Sequence, residues 1–240
     1  SNVEPPEPTR LGEVVWLEPL PDALLEGAIE VPSGPEARYE QAEAVSLAFV
    51  TALQVLPPRQ VAVLILRDVL GFHAHEVAGM LDSTVESVTS ALKRARASMQ
   101  RQLPPAADRE PPPAPGSPAE EAIVAKFTSA WESADLDALV ALLTDDVFSS
   151  MPPMPFEYQG RDIVARFCAG IFGAGRRFDL VPTRANGQPA FGAYVRAPDG
   201  ISHGVGLYVL TLAGDRICAM TRFDNSMLPR FGLPRSLPSR

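Results

Sequence analysis

The stretch LPPRQVAVLILRDVLGFHAHEVAGMLDSTVESVTSALKRARASMQ, residues 56–100, decides the architecture of the first half of the chain. It carries three helical patterns with sharp punctuation. Pro57-Pro58 opens the first, and Pro58 suits a first helical turn, where its missing N–H would have no partner anyway. Val61, Leu64, Ile65 and Val69 follow at helical spacing until Gly71. A short helix is expected from His75 to Leu81, with Val77, Ala78 and Leu81 inward. Asp82-Ser83-Thr84 reads as a turn, with Ser83 a candidate N-cap. In the last helix Val85, Val88, Leu92, Ala95 and Met99 fall on one face. Glu86, Ser87, Thr89, Ser90, Lys93, Arg94 and Ala97 then point outward. Between residues 83 and 101, Lys93, Arg94, Arg96 and Arg101 face Glu86 alone, a net charge of +3.

Working outward, residues 36–56 run without Pro or Gly and give a further helical stripe through Ala44, Leu47, Ala48, Leu53 and Leu56. Residues 1–35 are different: seven prolines and a net charge of −6 mark an acidic, mostly extended segment. The apolar cluster Trp16, Leu17, Leu20, Leu24 and Leu25 gives that segment one docking site. Residues 104–118, PPAADREPPPAPGSP, form a Pro/Ala linker and a domain boundary. Beyond it the pattern changes. Helices are expected over 119–133, 136–143 and 161–172, and a short strand over 147–150. Period-two strands are expected over 178–184, 190–197, 204–212 and 217–223. Asn186-Gly187, Asp199-Gly200 and Gly214-Asp215 supply the turns between them. The expected fold is multidomain: an all-α helix-turn-helix followed by an α+β cone of three helices on a curved antiparallel sheet.

Composition narrows the function classes. The chain has 240 residues, a net charge of −8 and 46% apolar side chains. It contains no apolar run near the ~20 residues of a membrane span. Cys168 and Cys218 are too few and too far apart for a disulfide framework or a Cys-rich zinc site. A cytoplasmic protein with no metal and no cofactor is expected. His73 and His75 stand two apart, which on a helix turns them away from each other and argues against a metal site.

A short helix, a tight turn and a helix with a basic outer face have the geometry that docks in the major groove of DNA. The run over 56–100 resembles the fourth domain of extracytoplasmic-function (ECF) sigma factors. The resemblance rests on the LPPRQ opening, the LRDVLGF step and the recognition-helix run Val88-Thr89-Ser90-Ala91-Leu92-Lys93-Arg94-Ala95-Arg96-Ala97. It covers about residues 36–103. It implies recognition of −35 promoter DNA and docking on the β flap of the RNA polymerase core. Carried over by position, Ser87, Ser90, Lys93, Arg94 and Arg96 become the DNA contacts, with Arg59 a phosphate anchor. The opening GEVVWLEPLPD, residues 12–22, resembles the linker between the second and fourth sigma domains. No second sigma domain is read here, so the expectation is a fragment of a longer sigma factor that does not initiate transcription by itself.

Residues 119–231 resemble the SnoaL-like polyketide-cyclase fold, through LLTDDVFSSMPPMP (142–155), Gly160-Arg161, RANGQPA (184–190) and FDNSMLPRFGLP (223–234). With both halves, the chain resembles the ECF sigma factors of actinobacterial sigma-G type. A related group carries a DGGGK motif, which this sequence does not contain. The domains are read as a sigma linker (1–35), sigma domain four (36–103), a linker (104–118), the SnoaL-like domain (119–231) and a tail (232–240). A cone of this kind is a natural ligand cavity. Its candidate lining is Trp131, Phe148, Met151, Met154, Phe156, Phe167, Tyr194, Tyr208 and Phe223, with Asp146, Arg184, Asn186, His203 and Asp224 as polar anchors for a small apolar ligand. The reading is a promoter-recognition fragment controlled in cis by a non-catalytic cone. The alternatives are a cyclase or isomerase tethered to a DNA-binding module, and a cone used only to dock protein.

Overall fold

The computed structural model describes residues 6–11, 18–25, 56–69, 72–102 and 110–238. The expected helix over 36–56 (apart from Leu56), the Trp16-Leu17 pair and the first part of the Pro/Ala linker, residues 104–109, lie outside these. In chain order the described elements are β1 (Arg10–Leu11), α1 (Asp22–Leu25), α2 (Pro58–Leu64) running into a π-helical turn (Ile65–Val69), α3 (Ala74–Met80) and α4 (Val85–Gln102). Then come α5 (Pro118–Ser133), α6 (Leu136–Ala141), β2 (Leu143–Met151), β3 (Met154–Gln159) and α7 (Arg161–Gly173). The chain closes with β4 (Phe178–Ala185), β5 (Gln188–Arg196), β6 (Ser202–Ala213), β7 (Arg216–Phe223), a 3-10 helix (Asn225–Phe231) and β8 (Ser236–Leu237). Two compact units result, Ala28–Arg109 and a second that joins Ser1–Gly27 to Glu110–Arg240. The N-terminal segment, expected as a linker of its own, therefore packs with the last unit.

In the helical unit, Val63 and Leu64 of α2, Val77 and Ala78 of α3, and Val88, Ala91, Leu92 and Ala95 of α4 form one core. Ala91 and Ala95 have no side chain beyond Cβ, so the neighbouring helices can approach closely. The turn between α3 and α4 is a helix C-cap of Schellman type. Asp82 takes φ 46°, and the Ser83 amide reaches back to the Ala78 carbonyl at 2.9 Å. Three expectations change here. Thr84, not Ser83, caps α4: its Oγ1 accepts from the Ser87 amide at 3.2 Å, while the Ser83 hydroxyl accepts from Arg59. Val85 is the first helical residue and stays exposed, because the core begins one turn later at Val88. His73 precedes α3 in extended backbone, so its ring stacks on that of His75, with centroids 5.8 Å apart, instead of pointing away.

The second unit is a single twisted sheet in the order β1-β3-β2-β7-β6-β5-β4, with β8 added to β6. Neighbours are antiparallel except β2 and β7. Helices α5, α6 and α7 pack on one face. Asn186 and Gly187 both have positive φ, 54° and 73°, the type I′ geometry that lets Ala185 pair directly with Gln188. Trp131 sits at the centre of the helix-facing core. Its ring meets Phe127, Phe172, Phe178 and Tyr208 with centroids 5.1–6.0 Å away. Strand β3 was not expected, since Pro155 interrupts the alternation. Strand β2 begins earlier than expected, at Leu143, because polar Thr144, Asp145 and Asp146 hide its start. The 3-10 helix was also unexpected; Pro229 inside it masks any helical period.

Phe127 is fully buried between Trp131 and Phe191. Phe127→Ala should therefore destabilise the last unit by about 3–5 kcal/mol, measured by chemical denaturation. A loss under about 1 kcal/mol would show that the core is not packed as described.

Candidate nucleic-acid interface and linker-binding site

Helix α4 buries one side and leaves Glu86, Thr89, Ser90, Lys93, Arg94, Arg96 and Ala97 exposed. Of the expected DNA contacts, Ser90, Lys93, Arg94 and Arg96 share this open face. Ser87 and Arg59 differ. Arg59, in the first turn of α2, donates to the Ser83 hydroxyl and to the Ser87 hydroxyl at 3.4 Å. The guanidinium thus ties the start of α2 to the start of α4, and Ser87 is half-buried against it. A second arginine, Arg67, donates to the Phe72 carbonyl and closes the break after the π-helical turn. Sequence reading did not single out Arg67, because an arginine in a helix gives no signal of which carbonyl it will reach.

The expected cone lining is divided between the two faces of the sheet. Trp131, Met151, Phe167 and Tyr208 lie on the helix side of the sheet, packed into the core. Burial pushes the Tyr208 phenol up to about 12 against the lowering influence of Arg222. Phe148 and Tyr194 project from the other face. Arg10 lies over the Phe148 ring at 5.9 Å, and the Tyr194 hydroxyl donates to the Pro234 carbonyl at 2.8 Å. Phe223 is buried outside that core, paired with Leu207. Met154 and Phe156 on edge strand β3 are exposed. Alternation along the strands divides side chains that composition alone had grouped. A groove of about 390 Å³ lies outside the cone, lined by Lys126, Ser133, Asp135, Ala138, Asp215 and Arg216.

The polar anchors serve other ends. His203 is exposed, its Nδ1 3.1 Å from the Ser236 hydroxyl on β8. Asp224 caps the 3-10 helix, accepting from the Ser226 amide at 2.8 Å and from the Ser226 hydroxyl. These two bonds hold its carboxyl below the usual carboxylate range. Asp146 is half-buried on β2.

Arg184 and Asn186 build a second site instead. The Arg184 guanidinium lies 2.6 Å from the buried Glu120 carboxylate and 3.1 Å from Asp22 of the N-terminal segment. It also donates to the Gly187 carbonyl at 2.8 Å. Burial opposes its charge, but Glu120 and Asp22 outweigh that and raise its pKa further. The Gly187 amide donates to Asp22 at 2.7 Å. Asn186 exchanges a pair of bonds with Leu20: its Oδ1 accepts from the Leu20 amide at 2.8 Å, and its own amide donates to the Leu20 carbonyl at 2.9 Å. A second attachment lies at the sheet edge, where β1 pairs with β3 and the Thr9 hydroxyl accepts from the Gln159 amide at 2.9 Å. Glu18 pairs with Arg230 of the 3-10 helix. Asp22 and Glu120 were missed by sequence reading. Ser117-Pro118-Ala119-Glu120 does carry a capping signal, and Ser117 does cap α5, but nothing local joins Glu120 to Arg184. Among the described residues no cluster of His, Cys, Asp or Glu is arranged to hold a metal ion. No described helix is long and apolar enough to cross a membrane.

These two arrangements define the class: a helix-turn-helix with an exposed basic face on one unit, and an α+β domain that grips an extended segment on the other. The sigma-70 region 4 family model matches residues 46–99, and the SnoaL-like domain model matches residues 124–220. The ECF RNA polymerase sigma factor SigG of Mycobacterium tuberculosis, from strains CDC 1551 and H37Rv, is 41% identical over 230 residues, 94% of this chain. The chain spans 60% of the length of those relatives. The crystal structure of the M. tuberculosis extracytoplasmic function sigma factor SigJ shares the fold with a TM-score of 0.59 at 22% identity, covering 93% of this chain and 76% of that one. The chain thus joins a sigma-70 region 4 match to a SnoaL-like match, and over 94% of its length it is similar to an ECF sigma factor.

Removing the Arg184 guanidinium would leave Glu120 buried without a counter-charge. Arg184→Ala should cost about 2–3 kcal/mol, less than a fully buried pair because Arg184 is partly exposed. Denaturant titration of wild type, Arg184→Ala and Arg184→Lys measures this; an unchanged midpoint would remove the ion pair from the account. Asp224 gives a pH prediction. Its folded pKa is depressed, so its stabilisation is present above the unfolded value of about 3.9 and is lost as pH falls through the folded value. Asp224→Asn should flatten the acid limb of the stability profile below about pH 4 and change little at pH 7 beyond the loss of the cap.

Proposed function

We propose that this chain is the promoter-recognition and regulatory part of an ECF sigma factor. Its helix-turn-helix reads −35 promoter DNA while bound to the RNA polymerase core, through the β flap, in the cytoplasm. The observation that carries the reading is the open cationic face of α4, with Lys93, Arg94 and Arg96 all exposed beside Ser90. Cations on the outer side of a helix that follows a tight turn neutralise phosphates while the helix lies in the major groove. Three cations neutralise few phosphates, so binding by this chain alone is weak and salt-sensitive, and polymerase supplies the remaining affinity.

The SnoaL-like domain acts as a binding module in cis rather than as an enzyme. The polar side chains nearest to a catalytic set are spent on structure: Arg184 and Asn186 on the N-terminal segment, Asp224 on a helix cap, His203 on β8. The residues it grips, Thr9–Leu11 and Leu20–Asp22, belong to the stretch that resembles the sigma linker. Holding that stretch limits where it can run, and releasing it frees the linker for polymerase. A small-molecule effector would act only by binding the held and released forms with different affinity.

DNA binding should respond to salt in a way that separates phosphate contacts from a merely solvated face. Lys93→Ala and Arg94→Ala should each weaken binding to all sequences alike and each reduce the slope of log K against log salt by about 1. Fluorescence anisotropy with core polymerase and a promoter duplex measures this; unchanged slopes for both variants would rule the face out as the DNA contact. For the linker, Asp22→Asn and Asn186→Ala should raise amide exchange over residues 18–25 while leaving exchange in β5 and β6 unchanged. Equal protection in wild type and variants would dismiss the latch.

A further inference from the structure

The leading turn of α4 carries methyl groups where the sequence suggested hydroxyls. Val85, placed on the buried face by periodicity, is 42% exposed at the first helical position. Thr89, one turn later on the same flank, is exposed, and its Oγ1 donates to the Val85 carbonyl at 2.9 Å. That bond consumes the hydroxyl donor and leaves the Thr89 methyl as an outward apolar group. Two other hydroxyls of the turn each accept one bond, Thr84 Oγ1 from the Ser87 amide and Ser87 Oγ from Arg59. Lys93 and Arg96 continue the flank that Val85 and Thr89 begin, so the apolar pair opens a stripe whose other members suit a polyanion.

In the major groove, the apolar feature of a base pair is the thymine C5-methyl, and small aliphatic side chains are its partners. We infer that Val85 and Thr89 are specificity-determining residues that read thymine methyl groups within the −35 element. This inference rests on α4 entering the major groove, as proposed above. Ser87 then acts by fixing the helix start with Arg59, and the bases opposite Val85 and Thr89 are chosen by methyl contact.

The test uses the 240-residue chain bound to RNA polymerase core at low ionic strength, where phosphate contacts are strongest. A random duplex library is enriched against the chain, and each thymine of the enriched site is replaced singly by deoxyuridine, which removes only the methyl. Wild type should lose about three- to fivefold affinity at one or two thymines, the worth of one buried methyl. At one of them Val85→Ala should bind the thymine and deoxyuridine duplexes equally. Thr89→Ser keeps the back-bonded hydroxyl but drops the methyl, and should erase the difference at its own thymine. Exposed Val85 lies outside the core, so these variants should keep wild-type thermal stability. If deoxyuridine costs nothing anywhere, or the loss persists in both variants, the methyl reading is overturned while DNA binding stands. If no sequence is enriched at all, the groove-docking reading fails and takes this inference with it.

Discussion

A guanidinium held between two carboxylates organises the last unit. Arg184 could not sit half-buried beside the β4–β5 turn without counter-charge, because desolvation works against its ionised form. Glu120 arrives from the first turn of α5 and Asp22 from the N-terminal segment. One charge thereby fixes three pieces of chain that are distant in sequence: a helix start, a hairpin and a linker. The type I′ turn that follows Arg184 contributes as well. Its positive φ at Asn186 turns that residue's amide and side chain outward to meet Leu20, so the chemistry that makes the hairpin also makes the docking site.

The helical unit solves a different problem with fewer charges. It must present a polar face without letting that face compete for the core. Alanines at 91 and 95 draw α4 close to its neighbours, and Arg59 pins its first turn. The helix is thus held on its buried side and at its N-terminus, and it leaves a polar flank exposed. Rigid support behind an open face keeps recognition side chains in register, since little of their position has to be fixed at the moment of binding.

The cone departs from a ligand-binding design. Trp131, Phe172, Phe178 and Tyr208 fill the space between helices and sheet, so the interior works as core. Two of its surfaces are the open side of β3 and the rim at the β4–β5 turn. Both are occupied by residues 9–11 and 20–22 of the same chain. The domain holds these residues on its outside, at the strand pairing and at the turn.

Much of this was legible in the residues themselves. Helical spacing from Val61 to Ala95, the period-two strands after Phe178, the Asn186-Gly187 turn and the Pro/Ala linker are local patterns. They follow from backbone sterics and from which side of an element must leave water, so the sequence alone determined the helix-turn-helix and the helices-then-strands order, though not β3 or the 3-10 helix. What it could not determine was the partner of each polar group. Asp22 and Arg184 are 162 residues apart. Ser87 faces Arg59 rather than solvent, Thr89 turns its hydroxyl back on its own helix, and Phe148 and Tyr194 point away from the cone that composition assigned them. Those outcomes depend on which segments approach in space and which face of a strand is turned inward, and only the tertiary structure settles them.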